Sequence, residues 1–185
     1  MNFSHRKKKY PLLVGNHGCS NFGDDLILEG YLVDHPGNFN YLLVGSVPIS
    51  NIKNYNLFHL VKNNKLKNIL VMLGSIWCSS DVIWVGGPCF TDQDGDGHFK
   101  LMLLAILLGK KFSYVSIGIN HLSRKISIFK TKFLLFYAQS VGIRDSTSYD
   151  YAMKLLNYNK SRLRKLFYQE DLGIKFIRNQ ESRPH

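Results

Sequence analysis

"YPLLVGNHGCSNFGDDLILEGYLVDH", residues 10–35, sets a short apolar run against a loop of glycine, asparagine and histidine, and then against a second apolar series. The run "YPLLVGN" (10–16) is continuous rather than alternating, the pattern of a strand buried on both faces. In "DDLILEGYLVDH" (24–35), Leu26, Ile27, Gly30, Tyr31 and Val33 recur at helical spacing, and Pro36-Gly37 stops the helix. Between the two lie Gly15, Asn16, His17, Gly18, Asn21 and Gly23. Glycine is conformationally costly, so such a loop needs backbone shapes or close approaches that a Cβ would forbid.

The same alternation continues down the chain. "NYLLVGS" (40–46), "SDVIWVGGP" (80–88), "FSYVSIGI" (112–119) and "SVGIRD" (140–145) read as strands. "HFKLMLLAILLGKK" (98–111), "SRKISIFKTKFLLFYAQ" (123–139) and "STSYDYAMKLLNYN" (146–159) read as helices, the first stopping at Gly109 and the last following a Ser/Thr cap. "NLFHLVKNN" and "LKNILVMLGSI", within 51–76, are read as two helices, and "RKLFYQEDLGIKF" (164–176) as a last strand. Repeated strand–helix units predict a Rossmann-like α/β fold, a parallel sheet with helices on both faces. The expected layout is a basic arm over 1–10, one α/β lobe over 11–177 and a tail over 178–185.

A sheet of this kind binds ligands outside the carboxyl ends of its strands. Four predicted strands end in unusual residues: Gly15-Asn16, Gly86-Gly87, Gly118-Ile119-Asn120 and Arg144-Asp145. All four ends are expected along one edge. The first loop fits no nucleotide motif. Its glycines are not spaced as GxGxxG, and Asp24-Asp25 stands where a phosphate loop requires Lys-Ser/Thr. What remains is a helix N-terminus with free N–H donors, where Asp24 is also suited to act as a cap.

Composition narrows the partners. The 185 residues carry 24 Lys and Arg against 13 Asp and Glu, a net charge of +11, which favours anionic company. Three cysteines without a CxxC pair fit a reducing cytoplasm better than a disulfide framework. The longest apolar run, "LMLLAILLG" (101–109), is about half of what a bilayer demands, though the basic N-terminus "HRKKK" (5–9) suits peripheral contact with a membrane. Asp92, Asp94, Asp96 and Gly97 copy the first half of an EF-hand loop, but Leu103 occupies the position of the bidentate Glu, so a polar turn is the stronger reading and no metal is expected. Aromatics are not interleaved with the basic clusters, which disfavours nucleic acid.

The ordered set "GNHGCSNFGDDLIL", "SDVIWVGGPCF", "LLGKKFSYVSIGIN", "VGIRDSTS" and "YQEDLGIKF" resembles the polysaccharide pyruvyl transferases. The resemblance implies one lobe of a two-lobed, glycosyltransferase-B-like fold in the cytoplasm or at the inner face of the membrane. It implies transfer of pyruvate from phosphoenolpyruvate, as donor substrate and without a cofactor, to a saccharide of a cell-surface or exopolysaccharide as a ketal. In that chemistry the enol carbon is protonated, one sugar hydroxyl attacks the resulting cation, phosphate leaves and a second hydroxyl closes the ring. Arg144 falls on the family's Arg-Asp motif and is the expected donor-binding cation, its alternative being an ion pair with Asp145 or a neighbouring loop. Asn16, His17, Gly18, Asn21, Gly23, Asp24, Gly86, Gly87 and Gly118 complete the expected substrate rim, with no general acid assigned. Pro88 replaces a family glycine. Family chains run to about twice this length, so the expectation is a lobe completed by a second lobe or partner chain, against a non-catalytic sugar- or phosphate-binding lobe.

Overall fold

A computed structural model describes residues 9–19, 21–43, 55–61, 64–92, 97–157 and 165–182, so most of the basic arm and the end of the tail lie outside the described residues. In chain order the elements are β1 (Leu12–Val14), α1 (Phe22–Asp34), β2 (Phe39–Leu43), β3 (Tyr55–His59), α2 (Lys65–Cys78), β4 (Val82–Val85), β5 (Pro88–Phe90), α3 (Gly97–Leu107), β6 (Phe112–Ile119), α4 (Lys125–Tyr137), β7 (Ser140–Ile143), α5 (Ser146–Leu155), β8 (Leu166–Tyr168) and α6 (Leu172–Glu181). The strands lie in the order β3-β2-β1-β4-β6-β7-β8, with β5 also paired to β6, and these pairings are parallel. This is the open Rossmann-like arrangement the sequence predicts.

The two faces of the sheet are sorted by the two-residue period of a strand. Leu12 and Val14 join one core with Ile76 of α2, Met102 and Ala105 of α3, Leu134 of α4 and Ala152 of α5. Leu13, between them, joins the opposite core with Ile27, Leu28 and Tyr31 of α1 and Leu172 of α6. Each fully buried aliphatic or aromatic side chain contributes on the order of 1.5–3 kcal/mol, so these two cores hold the helices to the sheet. Gly30 lets α1 and α6 close on each other, because a Cβ there would run into the Leu172 carbonyl oxygen. α3 ends as its sequence predicts, with Gly109 at φ 65° and the Gly109 and Lys110 N–H groups returning to Ile106 and Ala105.

Four local readings are corrected. "NLFHL" is a strand, not a helix: β3 pairs with β2 from Phe39↔Tyr55 to Leu43↔His59, and Leu57 and Phe58 pack on opposite cores. An apolar run this short fits a strand or a helix alike, so periodicity alone misreads it. The segment 80–88 is not one strand. It breaks at Gly86 and Gly87, both left-handed at φ 75° and 74°, and resumes along β6 as β5. The final segment is a three-residue strand followed by α6, whose start is set by the Asp171 carboxylate accepting from Gly173 N (2.9 Å) and Ile174 N (3.4 Å). The cap of α5 is Asp145, accepting from Ser148 N at 2.7 Å, rather than a Ser or Thr.

Candidate functional site at the carboxyl edge of the sheet

Because the strands run parallel, their carboxyl ends share one edge. β2 and β3 lie to one side of β1, while β4 and the later strands lie to the other, so the order reverses between β1 and β4. Crevices at such reversals are where sheets of this kind receive ligands. The loop after β1 and the two glycines after β4 flank this reversal.

The first loop is folded on itself. A Cβ on Gly15 would collide with His17 Nε2 and with the Val85 carbonyl oxygen, so glycine is required for His17 to lie over this backbone. The His17 residue is 1% exposed, and neither ring nitrogen makes a well-formed hydrogen bond. Burial lowers its pKa to about 4, opposed by Asp25 and the nearby backbone of Asp24 and Val14. Gly18, at φ 71°, donates its N–H to Asp25 Oδ1 (2.9 Å), so that donor is already engaged. Asn21 occupies the N-cap position of α1 without capping through its side chain. Its amide instead donates to Asp24 Oδ2 at 2.7 Å. Asp24 is therefore not the helix cap. Gly23, in the first turn, has only Asn21 Oδ1 near the place of a Cβ, at 3.7 Å.

Asp24 reaches toward β4. Both its carboxylate oxygens lie 3.1 Å from where a Gly87 Cβ would sit, and the residue is 3% exposed. Burial raises its pKa to about 6. Arg144 and the Asn21 hydrogen bond oppose the rise, and Asp25 and Asp171 add to it. Gly86 is close-packed against Ile27.

Arg144 follows β7. Its Nη1 is 3.4 Å from Asp171 Oδ2, the two side chains being 28% and 22% exposed. The guanidinium lies against Gly118, where a Cβ would stand 3.6 Å from Arg144 Nε, an ordinary contact. The partner is thus Asp171 rather than Asp145. Asp145 is committed to α5, and Ser148, which donates its hydroxyl to Asp145 Oδ2 (2.7 Å), accepts from Ile119 N (2.8 Å). The guanidinium accordingly pairs with Asp171 and acts on Asp24, with Asp145 Oδ2 beside the same Gly118.

Four contributors, Ser116, Gly142, Gln169 and Asp171, escaped sequence reasoning. Ser116 is fully buried with φ at 54°, in an irregularity of β6 where pairing with β7 shifts register. Its N–H donates to Gln169 Oε1 (3.2 Å), and its Oγ accepts from Leu172 N (3.3 Å), tying β6 to the segment that carries Asp171. Gly142 makes room for the Gln169 side chain, which a Cβ would strike. No local pattern marks Ser116 or Gln169, whereas Asp171 is legible as a cap before Leu-Gly-Ile.

On the α2–α3 side of the same edge, a largely apolar hollow of about 190 Å³ is lined by the Gly15-Asn16 turn, Met72, Trp84, His98 and Leu101. The His98 ring is enclosed by Trp84 and Phe90 at 4.5 and 5.1 Å between centroids, with Nε2 2.9 Å from Tyr114 Oη. Burial lowers its pKa to about 3. His121 is exposed and stacks on Tyr151. Asp92 accepts from Ser123 N (2.6 Å) and Ser123 Oγ (2.7 Å) ahead of α4, which holds its carboxyl below the usual range, while 93–96 of the acidic turn lie outside the described residues. Among the described residues no group of three or more His, Cys, Asp or Glu could hold a metal, and no helix is long and apolar enough to cross a membrane.

No curated protein and no solved structure gives a significant match to the chain. A family model, polysaccharide pyruvyl transferase, matches residues 21–164, which span α1, the Gly86-Gly87 break, Gly118 and the Arg144-Asp145 corner. With most of its length matched, including the carboxyl ends of β4, β6 and β7, the chain belongs to the polysaccharide pyruvyl transferase family.

Proposed function

We propose that the carboxyl edge of this sheet forms one wall of a cleft in which pyruvate passes from phosphoenolpyruvate to a saccharide as a ketal. The observation that carries this reading is the Arg144 guanidinium, partly exposed beside the bare Gly118 backbone on the edge that also holds the loop after β1. A guanidinium fork suits a carboxylate or a phosphate, and charge-assisted contacts of that kind are the strong ones. Asp24 controls how much of that charge is available. Protonated below its pKa of about 6, it no longer competes with an anion for Arg144. A donor with several negative charges needs more cations than this rim supplies, so the reading includes a second lobe or partner chain across the cleft. The chain works in this reading in the cytoplasm, with its basic arm at the inner face of the membrane.

Titration calorimetry with phosphoenolpyruvate at low salt tests the assignment. Arg144→Ala is expected to weaken binding at least tenfold, and undiminished binding by that variant removes the site. The carboxyls of Asp24 and Asp171 beside the guanidinium favour a second reading, a non-catalytic lobe that holds saccharide hydroxyls through them. Saccharide binding that survives Arg144→Ala, with no ketal formed when donor is present, would support it instead.

A further inference from the structure

None of the chain's 13 acidic residues lies in α2, α3 or α4. Residues 97–137, from the start of α3 to the end of α4, contain seven Lys and Arg and no Asp or Glu. These three helices pack side by side on one face of the sheet, α2 against α3 and α3 against α4. On the opposite face, α1 carries Asp24, Asp25, Glu29 and Asp34, and α6 is bounded by Asp171 and Glu181. These three adjacent helices are therefore free of carboxylates, whereas α5, farther along the same face, carries the exposed Asp150.

The basic layer also exposes large apolar side chains. Leu66, Leu70 and Trp77 of α2, Leu107 of α3, and Ile126 and Phe129 of α4 are between 50% and 72% exposed. Lysines stand among them, Lys65 and Lys67 at the start of α2 and Lys125 and Lys132 along α4, all exposed. Lys9 lies 5.6 Å from the centroid of the Trp77 ring and donates to the Trp77 carbonyl (2.8 Å), placing a cation against the exposed indole. Exposed apolar groups with lysines among them, on helices without carboxylates and with Asp92 engaged by Ser123 ahead of α4, match a surface that is apolar below and anionic at its rim. That is the chemistry of an anionic bilayer, entered by Trp, Phe and Leu side chains while lysines stay at the headgroups. A partner protein with an ordinary mixture of charges would be met by carboxylates somewhere on such a face, and here there are none in the three helices.

We propose that the α2–α3–α4 face is a peripheral docking surface for an anionic lipid bilayer. Its side chains are not those of the carboxyl edge, so it stands whether or not phosphoenolpyruvate binds at Arg144.

The test is co-sedimentation of the full chain with vesicles of phosphatidylcholine, with and without about 30% phosphatidylglycerol. Binding is expected to be at least tenfold stronger to the anionic vesicles and to fall as salt rises. Each lysine near the surface is worth about fivefold, so Lys125→Glu with Lys132→Glu should weaken binding by at least about twentyfold. Both side chains are exposed, so folding is preserved, checked by an unchanged melting curve. Leu70→Ser with Phe129→Ser should weaken binding to the same vesicles, and Ile177→Ser on α6 should not. Trp77 emission should shift to the blue on binding, Trp84 being already buried. Equal binding to neutral vesicles, no binding, or loss only when Lys7 and Lys8 of the arm are changed would overturn the proposal. So would a dimer, by light scattering, that dissociates on Phe129→Ser, since the face would then belong to a second copy.

Discussion

Replacing Asp24 with Asn removes a titration that the fold has displaced. The carboxyl has a pKa of about 6 in the folded chain against an ordinary 3.8, because burial penalises its charged form by more than Arg144 repays. A shift of that size corresponds to about 3 kcal/mol. The folded state keeps this proton at a pH where the unfolded chain has released it. The contribution is therefore complete below about pH 3.8 and is lost as pH rises through 6. The amide of the Asp24→Asn variant does not titrate, so the variant's stability minus that of the wild type should grow by about 2 kcal/mol from about pH 4.5 to about pH 7.5. His17 and His98 act in the opposite sense. Each is held neutral, with pKa values lowered to about 4 and about 3, so their contributions are lost as pH falls below 6.5 through those values. They bend both curves alike and cancel in the difference. Urea unfolding followed by emission of the buried Trp84 measures it. A difference that stays flat or grows toward acid would mean that attraction to Arg144 outweighs burial at Asp24. In an Arg144→Ala background the gain should be larger, because the chief attraction opposing the shift is gone.

Gly87→Ala should cost on the order of 1–3 kcal/mol in the same assay, since it places a Cβ at a left-handed φ of 74° and 3.1 Å from both Asp24 oxygens. Ser116→Ala should cost about 1–3 kcal/mol by leaving Leu172 N–H without its acceptor. Ser116→Gly should be the milder change, reversing the usual order, because glycine relaxes the φ of 54°; a milder alanine would show that no strain is held there. Asp145→Ala should lower stability by about 0.5–2 kcal/mol through loss of the α5 cap, read as a drop in the melting temperature.

Alternation of apolar strands with longer periodic segments is a local property, and it sufficed to place β6 over 112–119 to the residue and to bring the loop after Val14 and Arg144 to the same edge. Once the strands are parallel, the rim follows, because parallel strands present their carboxyl ends together. Asp145 and Asp171 as caps were equally local, though a Ser/Thr signal beside the first and a strand-like run before the second concealed them. Other features depended on contacts distant in sequence. β3 is a strand only because β2 pairs with it, and the break at Gly86-Gly87 is visible only against β6. The left-handed Ser116 is held by Gln169 and Leu172, 53 and 56 residues away. The pKa of Asp24 is likewise a tertiary property, set by burial over Gly87 and by charges at positions 144 and 171. Local periodicity records which side chains must leave water, and so reveals the layers. Which polar groups meet within those layers is decided by packing, since no short window of sequence contains both partners.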